Sequence, residues 1–323
     1  MEKQEEIIIA NPMFDVVFKG MIEDKENARY LVETFISEEI MDIELAQQEY
    51  IYYRQTETEN KTKEIKVIRL DFVATVRTKD GEYKKILIEI QQSLNPIDSF
   101  RFRSYLAKQY AAHENIIRRE KIIVKNDKVT IKEEIVNLRS IIAIYILGFE
   151  IEDAPNIIFK QIPQCFDVFD GSEVNTQHPI VKDLSHESYY VQIPRVKPEM
   201  YNDWSKCSRL MKLLSLFEQN YFVDKNYLKK YKYPIDSITD KPLEKMINTL
   251  RQIAADPHTR RVMEEEAFAA MNIDFLKQSI VNKDVIIDAL QSSNDALQSS
   301  NDALKNQLEE YRRKFGKLNG LPA

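Results

Sequence analysis

The stretch VIRLDFVATVRTKDGEYKKILIEIQQS, residues 67–93, decides the fold of this chain. It contains two runs rich in Val and Ile, residues 67–76 and 83–91, and such runs are typical of β-strands. Between them lies Thr78-Lys79-Asp80-Gly81, a glycine-containing loop that indicates a hairpin. We therefore predict two neighbouring antiparallel strands in this part of the chain.

Two acidic residues interrupt these apolar runs. Asp71 and Glu89 each lie between two large apolar residues, and burying an isolated carboxylate among such neighbours is costly. A divalent cation is one partner that would offset the cost. Mg²⁺ prefers oxygen ligands, usually one or two carboxylates completed by water and by phosphate oxygens of a substrate. Gln91 follows Glu89 by two residues, so both side chains point to the same face of their strand.

The length of the hairpin loop decides whether the two carboxylates meet. A two-residue loop, Asp80-Gly81, would pair Asp71 with Ile90 and send the carboxylates to opposite faces of the sheet. A three-residue loop, Lys79-Asp80-Gly81 with its glycine in the left-handed region, would pair Asp71 with Glu89 directly. Directly paired residues have Cβ atoms about 4.5–5.5 Å apart. Because a metal site requires this closeness, we predict the odd loop, or a bulge that restores the same register.

Four segments together resemble a known family. NPMFDVVFKGMIE, residues 11–23, is similar to an opening Asp-x-x-Phe-Lys motif, here Asp15, Phe18 and Lys19. Residues 70–93 resemble the catalytic hairpin of the same family, and SFRFRSYLAKQYAAH, residues 99–113, resembles the helix that follows it. LSHESYYVQIPRV, residues 184–196, is similar to the strand that ends the larger domain. The family is that of the PD-(D/E)XK nuclease family transposases, or recombination-promoting nucleases (Rpn).

The resemblance implies a fold and an activity. The expected fold class is α/β, a restriction-endonuclease-like mixed sheet flanked by helices. The expected activity is that of a DNA endonuclease dependent on Mg²⁺, with Mn²⁺ as a substitute. Such an enzyme hydrolyses phosphodiester bonds of double-stranded DNA, here in mobile-element recombination or in defence against foreign DNA.

The resemblance also implies roles for particular residues. Asp71, Glu89 and Gln91 would be catalytic, and the two carboxylates would bind the metal together with the backbone carbonyl of Ile90. Gln91 would orient the attacking water. Three basic side chains would contact DNA phosphates: Lys19, Arg101 and Arg103. Asp15 would be either an additional acidic group near the metal or the cap of the first helix.

Position 91 departs from the wider superfamily, which has lysine there. Glutamine can hold a water molecule by hydrogen bonding but cannot lend it positive charge. A second hypothesis therefore stands beside the first. In it, the chain is a catalytically weak or inactive nuclease-fold protein that binds DNA or regulates, and that oligomerises through its C-terminal heptads.

Those heptads lie at the C-terminal end of the sequence. DALQSSN occurs at residues 288–294 and again at 295–301, and DALKNQL follows at 302–308. The period of seven places Leu290, Leu297 and Leu304 at d positions, beside a stripe of a positions formed by Ile287, Asn294, Asn301 and Leu308. We expect a short coiled-coil-like tail that forms a homo-oligomer through residues 285–311, and a frayed polar tail is the alternative.

Further expectations concern organisation along the chain. We predict a nuclease domain over residues 1–200, a helical region over 201–284 and the heptad tail over 285–323. A helix is predicted over residues 24–37 with Asp24 as its N-cap, and another over residues 97–120. A further helix is expected between Trp204 and Phe222.

Composition narrows the class of protein. No GxGxxG or GxxxxGK[ST] motif occurs among only six glycines, which argues against nucleotide-binding enzymes. Two cysteines without metal-ligand spacing argue against a disulfide or zinc framework. The net charge is −6, yet residues 101–140 carry ten Lys/Arg against five Asp/Glu, a balance suited either to a phosphate-facing surface or to a solvated face. An acidic N-terminus and the absence of a long apolar run predict a cytoplasmic protein with no membrane partner.

Overall fold

The computed structural model describes residues 4–46, 49–55, 63–69, 71–93, 96–125, 128–224, 227–234 and 240–316. The strands are β1 (Gln4–Ala10), β2 (Ile40–Leu45), β3 (Glu49–Gln55), β4 (Lys63–Arg69), β5 (Phe72–Thr78), β6 (Tyr83–Gln91), β7 (Ile116–Lys125), β8 (Lys128–Leu138), β9 (Ser140–Leu147), β10 (Ile158–Gln161), β11 (Glu187–Gln192), β12 (Phe222–Asp224) and β13 (Leu228–Pro234). The α-helices are α1 (Asp15–Ile22), α2 (Lys25–Ile36), α3 (Pro96–Ala111), α4 (Pro179–Lys182), α5 (Arg209–Phe217), α6 (Lys241–Ala255) and α7 (Pro257–Phe315).

The central feature is a six-stranded mixed sheet with the strand order β10-β11-β9-β6-β5-β2. Strand β6 pairs in parallel with β9, which pairs in parallel with β11, and the other neighbours are antiparallel. Strands β6 and β9 lie in the middle of the sheet, and β9 is almost continuously apolar, as expected for a strand buried on both faces. The chain is therefore α/β, with a mixed sheet flanked by helices and a helical C-terminal segment, as predicted.

Helix α3 covers one face of this sheet. Its Tyr105 packs with Val73, Leu87 and Ile141, which come from three neighbouring strands. Its Phe102 and Leu106 pack against a second group formed by Ala143, Tyr145 and Leu147 of β9. Because side chains alternate along a strand, Glu89 and Gln91 point to this same face as Leu87. Helix α3 is thus the element that lies nearest to the predicted site on this face.

Helix α3 ends earlier than the sequence indicated. We predicted a helix over residues 97–120, but α3 stops at Ala111, and residues 116–138 form the antiparallel hairpin of β7 and β8. The β-branched pairs Ile116-Ile117 and Ile122-Ile123 explain the change, because β-branched residues favour strands over helices. Much of the basic segment 101–140 is therefore a hairpin.

The chain forms two compact units, Met1–Glu264 and Glu265–Ala323. The domain boundary expected near residue 200 falls inside the first unit, because β1 at the N-terminus pairs along its whole length with β13. The expected helical region 201–284 therefore contains two strands, β12 and β13, and the helix expected between Trp204 and Phe222 is shortened to α5. The second unit continues α7 as one helix to Phe315, and residues 317–323 of the expected tail lie outside the described residues.

None of the helices in the described ranges combines the length and apolar character needed to cross a bilayer.

Candidate active site

The hairpin between β5 and β6 has the register that the metal hypothesis requires. The recorded pairs, such as Phe72 with Ile88 and Arg77 with Tyr83, all have residue numbers that sum to 160. Continued by one residue, this register places Asp71 opposite Glu89. The loop is the three-residue type, since Gly81 has φ 83° and its N–H donates to the carbonyl of Thr78 at 2.9 Å. The predicted odd loop is confirmed.

Asp71 itself lies at the end of a strand rather than inside one. The sequence was interpreted as one strand over residues 67–76, but β4 ends at Arg69 and β5 begins at Phe72. Asp71 occupies the bend before β5, and its Oδ2 accepts a hydrogen bond from the N–H of Ile90 at 2.6 Å. This hydrogen bond holds the carboxylate of Asp71 against β6, although Asp71 itself lies outside β5.

The pKa of each carboxyl is raised above its ordinary value. Burial is the main cause for both side chains, and it raises the pKa of Asp71 to about 7. The pKa of Glu89, which is only 4% exposed, is raised well above its ordinary value by burial and then by the charge of Asp71. Buried carboxyls resist ionisation because the charged form loses its hydration, and a neighbouring negative charge adds to this effect. The pair is therefore protonated over part of the neutral pH range unless a cation neutralises it.

The carboxylate of Glu89 has an unsatisfied oxygen. Its Oε1 is buried and has no hydrogen-bond partner among the described residues. A buried acceptor without a partner costs about 1–3 kcal/mol, and more for a charged group. Within the part of the chain that the structure describes, no cluster of three or more His, Cys, Asp or Glu side chains is suited to hold a metal. Any cation here would have two protein carboxylates, which is a donor set typical of Mg²⁺.

Ile90 and Gln91 lie beside the carboxylates with definite contacts. The contact that the structure shows for Ile90 is its N–H bond to Asp71, and the metal role of its carbonyl stays a prediction. The amide of Gln91 donates from Nε2 to the carbonyl of Ser93 at 2.8 Å. Its Oε1 accepts a hydrogen bond from Nη2 of Arg101 at 2.7 Å. Arg101 also lowers the pKa of Glu89 by its charge, as a smaller effect than burial and Asp71.

Helix α1 brings two of the predicted residues to Asp71. Nζ of Lys19 lies 2.8 Å from each carboxylate oxygen of Asp15, one turn earlier on the helix. Asp15 raises the pKa of Asp71 and Lys19 lowers it, so both side chains lie within electrostatic reach of Asp71. The alternative prediction, that Asp15 caps the first helix, is wrong, because Phe14 is the N-cap residue and Asp15 is the first helical residue.

The end of β6 is attached to its surroundings at two points. Nε2 of Gln92 donates to the carbonyl of Met13 at 2.8 Å, which ties the strand to the loop before α1. The N–H of Gly148 donates to the carbonyl of Gln91 at 2.7 Å, and a Cβ at position 148 would lie 2.5 Å from the carbonyl oxygen of Gln92. A glycine is therefore required where the chain leaves β9, because any side chain would displace the backbone next to Gln91.

Two findings were missed by reasoning from the sequence alone. Arg101 contacts Gln91, whereas it was predicted only as a phosphate contact. Tyr145 of β9 pairs with Glu89, and its ring lies 5.0 Å from that of Phe102. No motif marks either contact, since both depend on the packing of α3 over the sheet. Arg103, predicted with Arg101, is exposed on α3, and in the described ranges no hydrogen bond or ion pair joins it to the carboxylate pair.

Comparison of the chain with protein-family models, with curated proteins and with solved structures finds no match.

Proposed function

We propose that this protein is a metal-dependent DNA endonuclease that hydrolyses phosphodiester bonds, in mobile-element recombination or in defence against foreign DNA. The single observation that carries the proposal is that Asp71, bonded to the N–H of Ile90, lies beside the buried Glu89, one of whose carboxylate oxygens lacks a partner among the described residues. The resemblance of residues 11–113 to the Rpn nucleases supports the same activity.

The donor set fits a magnesium or manganese ion. Asp71 and Glu89 would hold it, with the carbonyl of Ile90 as an additional oxygen. Such an ion neutralises the paired carboxylates, lowers the pKa of a bound water and stabilises negative charge on the scissile phosphate. Hydrolysis adds the elements of water across one P–O ester bond, which leaves a hydroxyl on one product and a phosphate monoester on the other.

The chain's own residues orient the reactants. Oε1 of Gln91 accepts one hydrogen bond from Arg101 and, as an amide oxygen, has a second lone pair that can accept a hydrogen bond from the attacking water. Lys19 lies at the edge of the site and is partly exposed. It is positioned to contact a DNA phosphate, and Arg103 contributes charge from the exposed side of α3.

The experiment is cleavage of supercoiled plasmid DNA in Mg²⁺ or Mn²⁺. The wild type is compared with Asp71→Asn, which keeps the side-chain shape, and with Asp80→Asn, a matched change at an exposed carboxylate in the loop of the same hairpin. We expect wild type and Asp80→Asn to cut at similar rates, and Asp71→Asn to lose at least about 100-fold. Equal cleavage by all three proteins would reject the proposal.

The second hypothesis is a catalytically weak or inactive nuclease-fold protein that binds DNA or regulates. Glutamine at position 91 motivates it, together with the absence of a third acidic, histidine or cysteine ligand among the described residues. Titration calorimetry with Mg²⁺ and Mn²⁺ separates the two hypotheses. DNA binding without any metal binding would favour the second.

We also propose that the second unit forms a homo-oligomer with other copies of this chain. Its helix carries exposed apolar residues in a heptad register that extends beyond the predicted segment 285–311: Leu276, Ile280, Ile287, Leu290, Leu297, Leu304, Leu308, Tyr311 and Phe315. Asn294 and Asn301 occupy a positions of the same stripe. In a parallel pair in register, each asparagine meets its counterpart, whereas a shift by one heptad leaves one asparagine of each helix opposite Ile287 or Leu308 without a polar partner. The stripe is thus self-complementary.

Sedimentation of the full-length protein tests this association. Leu297→Lys changes a d position of the stripe, and Ser299→Lys makes the same charge change on the opposite face of the helix. We expect the first variant to sediment as a smaller species and the second to behave as the wild type. Identical profiles for the wild type and Leu297→Lys would reject the association, as would an unchanged profile after truncation at residue 284.

A further inference from the structure

We propose that Arg101 supplies the positive charge that lysine provides at position 91 in the wider nuclease superfamily, with Gln91 holding its guanidinium beside the carboxylate pair. This inference rests on the proposed function and adds a catalytic role to a residue expected only to contact DNA. In it, Arg101 contacts the phosphate that is being cleaved, and Gln91 is the positioning residue for Arg101 as well as a water acceptor.

Arg101 and Gln91 are in direct contact. Nη2 of Arg101 donates to Oε1 of Gln91 at 2.7 Å. Gln91 and Glu89 point to the same face of β6, so a guanidinium bound to Gln91 lies on the side of the sheet where Glu89 and Asp71 meet. A planar guanidinium presents several N–H donors and matches two phosphate oxygens at once, which a lysine ammonium cannot do.

The packing of helix α3 on the sheet also fixes the position of Arg101. The guanidinium carbon of Arg101 lies 5.5 Å from the ring centroid of Phe102, and that ring lies 5.0 Å from the ring of Tyr145. Tyr145 is the partner of Glu89 in the neighbouring strand. The helix turn that carries Arg101 is therefore packed on the residue beside the carboxylate, which fixes the approach of Arg101 through packing as well as hydrogen bonding.

The amide side chain at position 91 suits an arginine as its neighbour. A lysine there would place a second cation beside Arg101, and like charges at this distance repel. An amide removes that repulsion and offers an acceptor oxygen, while its Nε2 is engaged by the carbonyl of Ser93. Glutamine at position 91 is thus the residue type that suits an arginine arriving from the helix.

The test uses three variants of the full-length protein. Arg101→Met removes the charge and keeps an unbranched side chain, and Arg103→Met is the matched control at an exposed arginine of the same helix. The third protein combines Arg101→Met with Gln91→Lys and so returns a cation to the site from the strand. Each is measured for kcat and KM on plasmid DNA, and for Mn²⁺ affinity by calorimetry without DNA. Emission from Trp204, a buried side chain, confirms that each variant is folded.

The expected results differ in direction. Arg101→Met should lower kcat at least about 100-fold with little change in KM, as for loss of a group that acts in the transition state. It should also bind Mn²⁺ about threefold more tightly or better, because a neighbouring cation no longer repels the metal. Arg103→Met should raise KM alone. The double variant should recover kcat to within about tenfold of the wild type and weaken Mn²⁺ binding again.

Two results would overturn the inference while leaving the proposed function intact. One is a wild-type enzyme that cuts DNA while Arg101→Met keeps its kcat within about twofold. The other is a double variant that stays as inactive as Arg101→Met. A wild type that neither binds Mn²⁺ nor cuts DNA would instead overturn the proposed function, and the role of Arg101 with it.

Discussion

The cost of burying the carboxylate of Asp71 predicts a stabilising change at the centre of the site. Asp71→Asn replaces an ionisable group with an amide whose Oδ1 can still accept the N–H of Ile90. Burial raises the pKa of Asp71 from 3.8 to about 7, a shift of roughly 3 units. At 1.36 kcal/mol per unit, the folded state disfavours the ionised carboxyl by about 4 kcal/mol. The variant removes that cost in the metal-free protein.

The sign of the pH dependence follows from proton binding. Between about pH 4 and 7, the folded protein keeps a proton on Asp71 that the unfolded chain has released. The free energy of unfolding of the wild type therefore falls as pH rises through this window and levels off above it. Asparagine has no such dependence. We expect the stability gain of Asp71→Asn to be small at pH 4 and to grow to about 2–4 kcal/mol at pH 8.

Urea denaturation in EDTA measures this difference. The only tryptophan, Trp204, is 4% exposed and reports unfolding of the unit Met1–Glu264. Asp80→Asn, in the exposed loop, should show no gain at either pH. Added Mn²⁺ should stabilise the wild type and leave Asp71→Asn unchanged, because a ligand stabilises only the state that binds it. A variant that is less stable than the wild type at pH 8 would refute the electrostatic account of the site.

Four further predictions follow from other parts of the structure. Mn²⁺ affinity by calorimetry should rise on the order of tenfold between pH 6 and 8, because the metal must displace a proton from a carboxyl that titrates near pH 7. Gly148→Ala should slow DNA cleavage at least about tenfold and lower stability by about 1–3 kcal/mol in urea titrations, since its Cβ would overlap the backbone of Gln92. Ser37→Gly should raise stability by about 0.5–1 kcal/mol in the same assay, because φ is 57° at this helix end. Lys229→Met should cost about 3–5 kcal/mol by urea denaturation, as it leaves the buried carboxylate of Glu218 unpaired.

The local features of the fold were predictable because each depends on a few adjacent residues. Asp24 caps α2 as predicted, and its carboxylate accepts hydrogen bonds from the N–H groups of Glu26 and Asn27. The hairpin followed from the glycine-containing loop, but its register did not, because the loop sequence allowed two lengths. The three-residue loop was predicted because a metal site requires Asp71 and Glu89 to lie close together, and the structure has that loop.

Features that depend on distant partners were not predictable. Residues 228–234 form the middle strand of a three-stranded sheet, and one of its two neighbours, β1, comes from the other end of the unit. Lys229 likewise depends on another element, because its Nζ is buried and donates to three backbone carbonyls at the end of α5, those of Ser215, Leu216 and Glu218. A lysine in an alternating polar sequence gives no sign of such burial, since the acceptors come from a helix rather than from neighbouring strands.

Position 91 shows what a motif on one strand leaves out of the description of this site. A glutamine in place of lysine suggests lost catalytic power when the strand is considered by itself. In the structure, the side chain of Gln91 accepts a hydrogen bond from Arg101 of α3. The positive charge therefore comes to this position from the helix and not from the strand. Whether the strand or the helix carries the positively charged side chain depends on how α3 packs on the sheet. The residue type at position 91 is then the one that suits this packing. We infer that a lysine at position 91 and an arginine at position 101 are alternative ways of placing one positive charge beside the carboxylates. Rescue of Arg101→Met by Gln91→Lys would support this inference, and failure of the rescue would favour a catalytically inactive site.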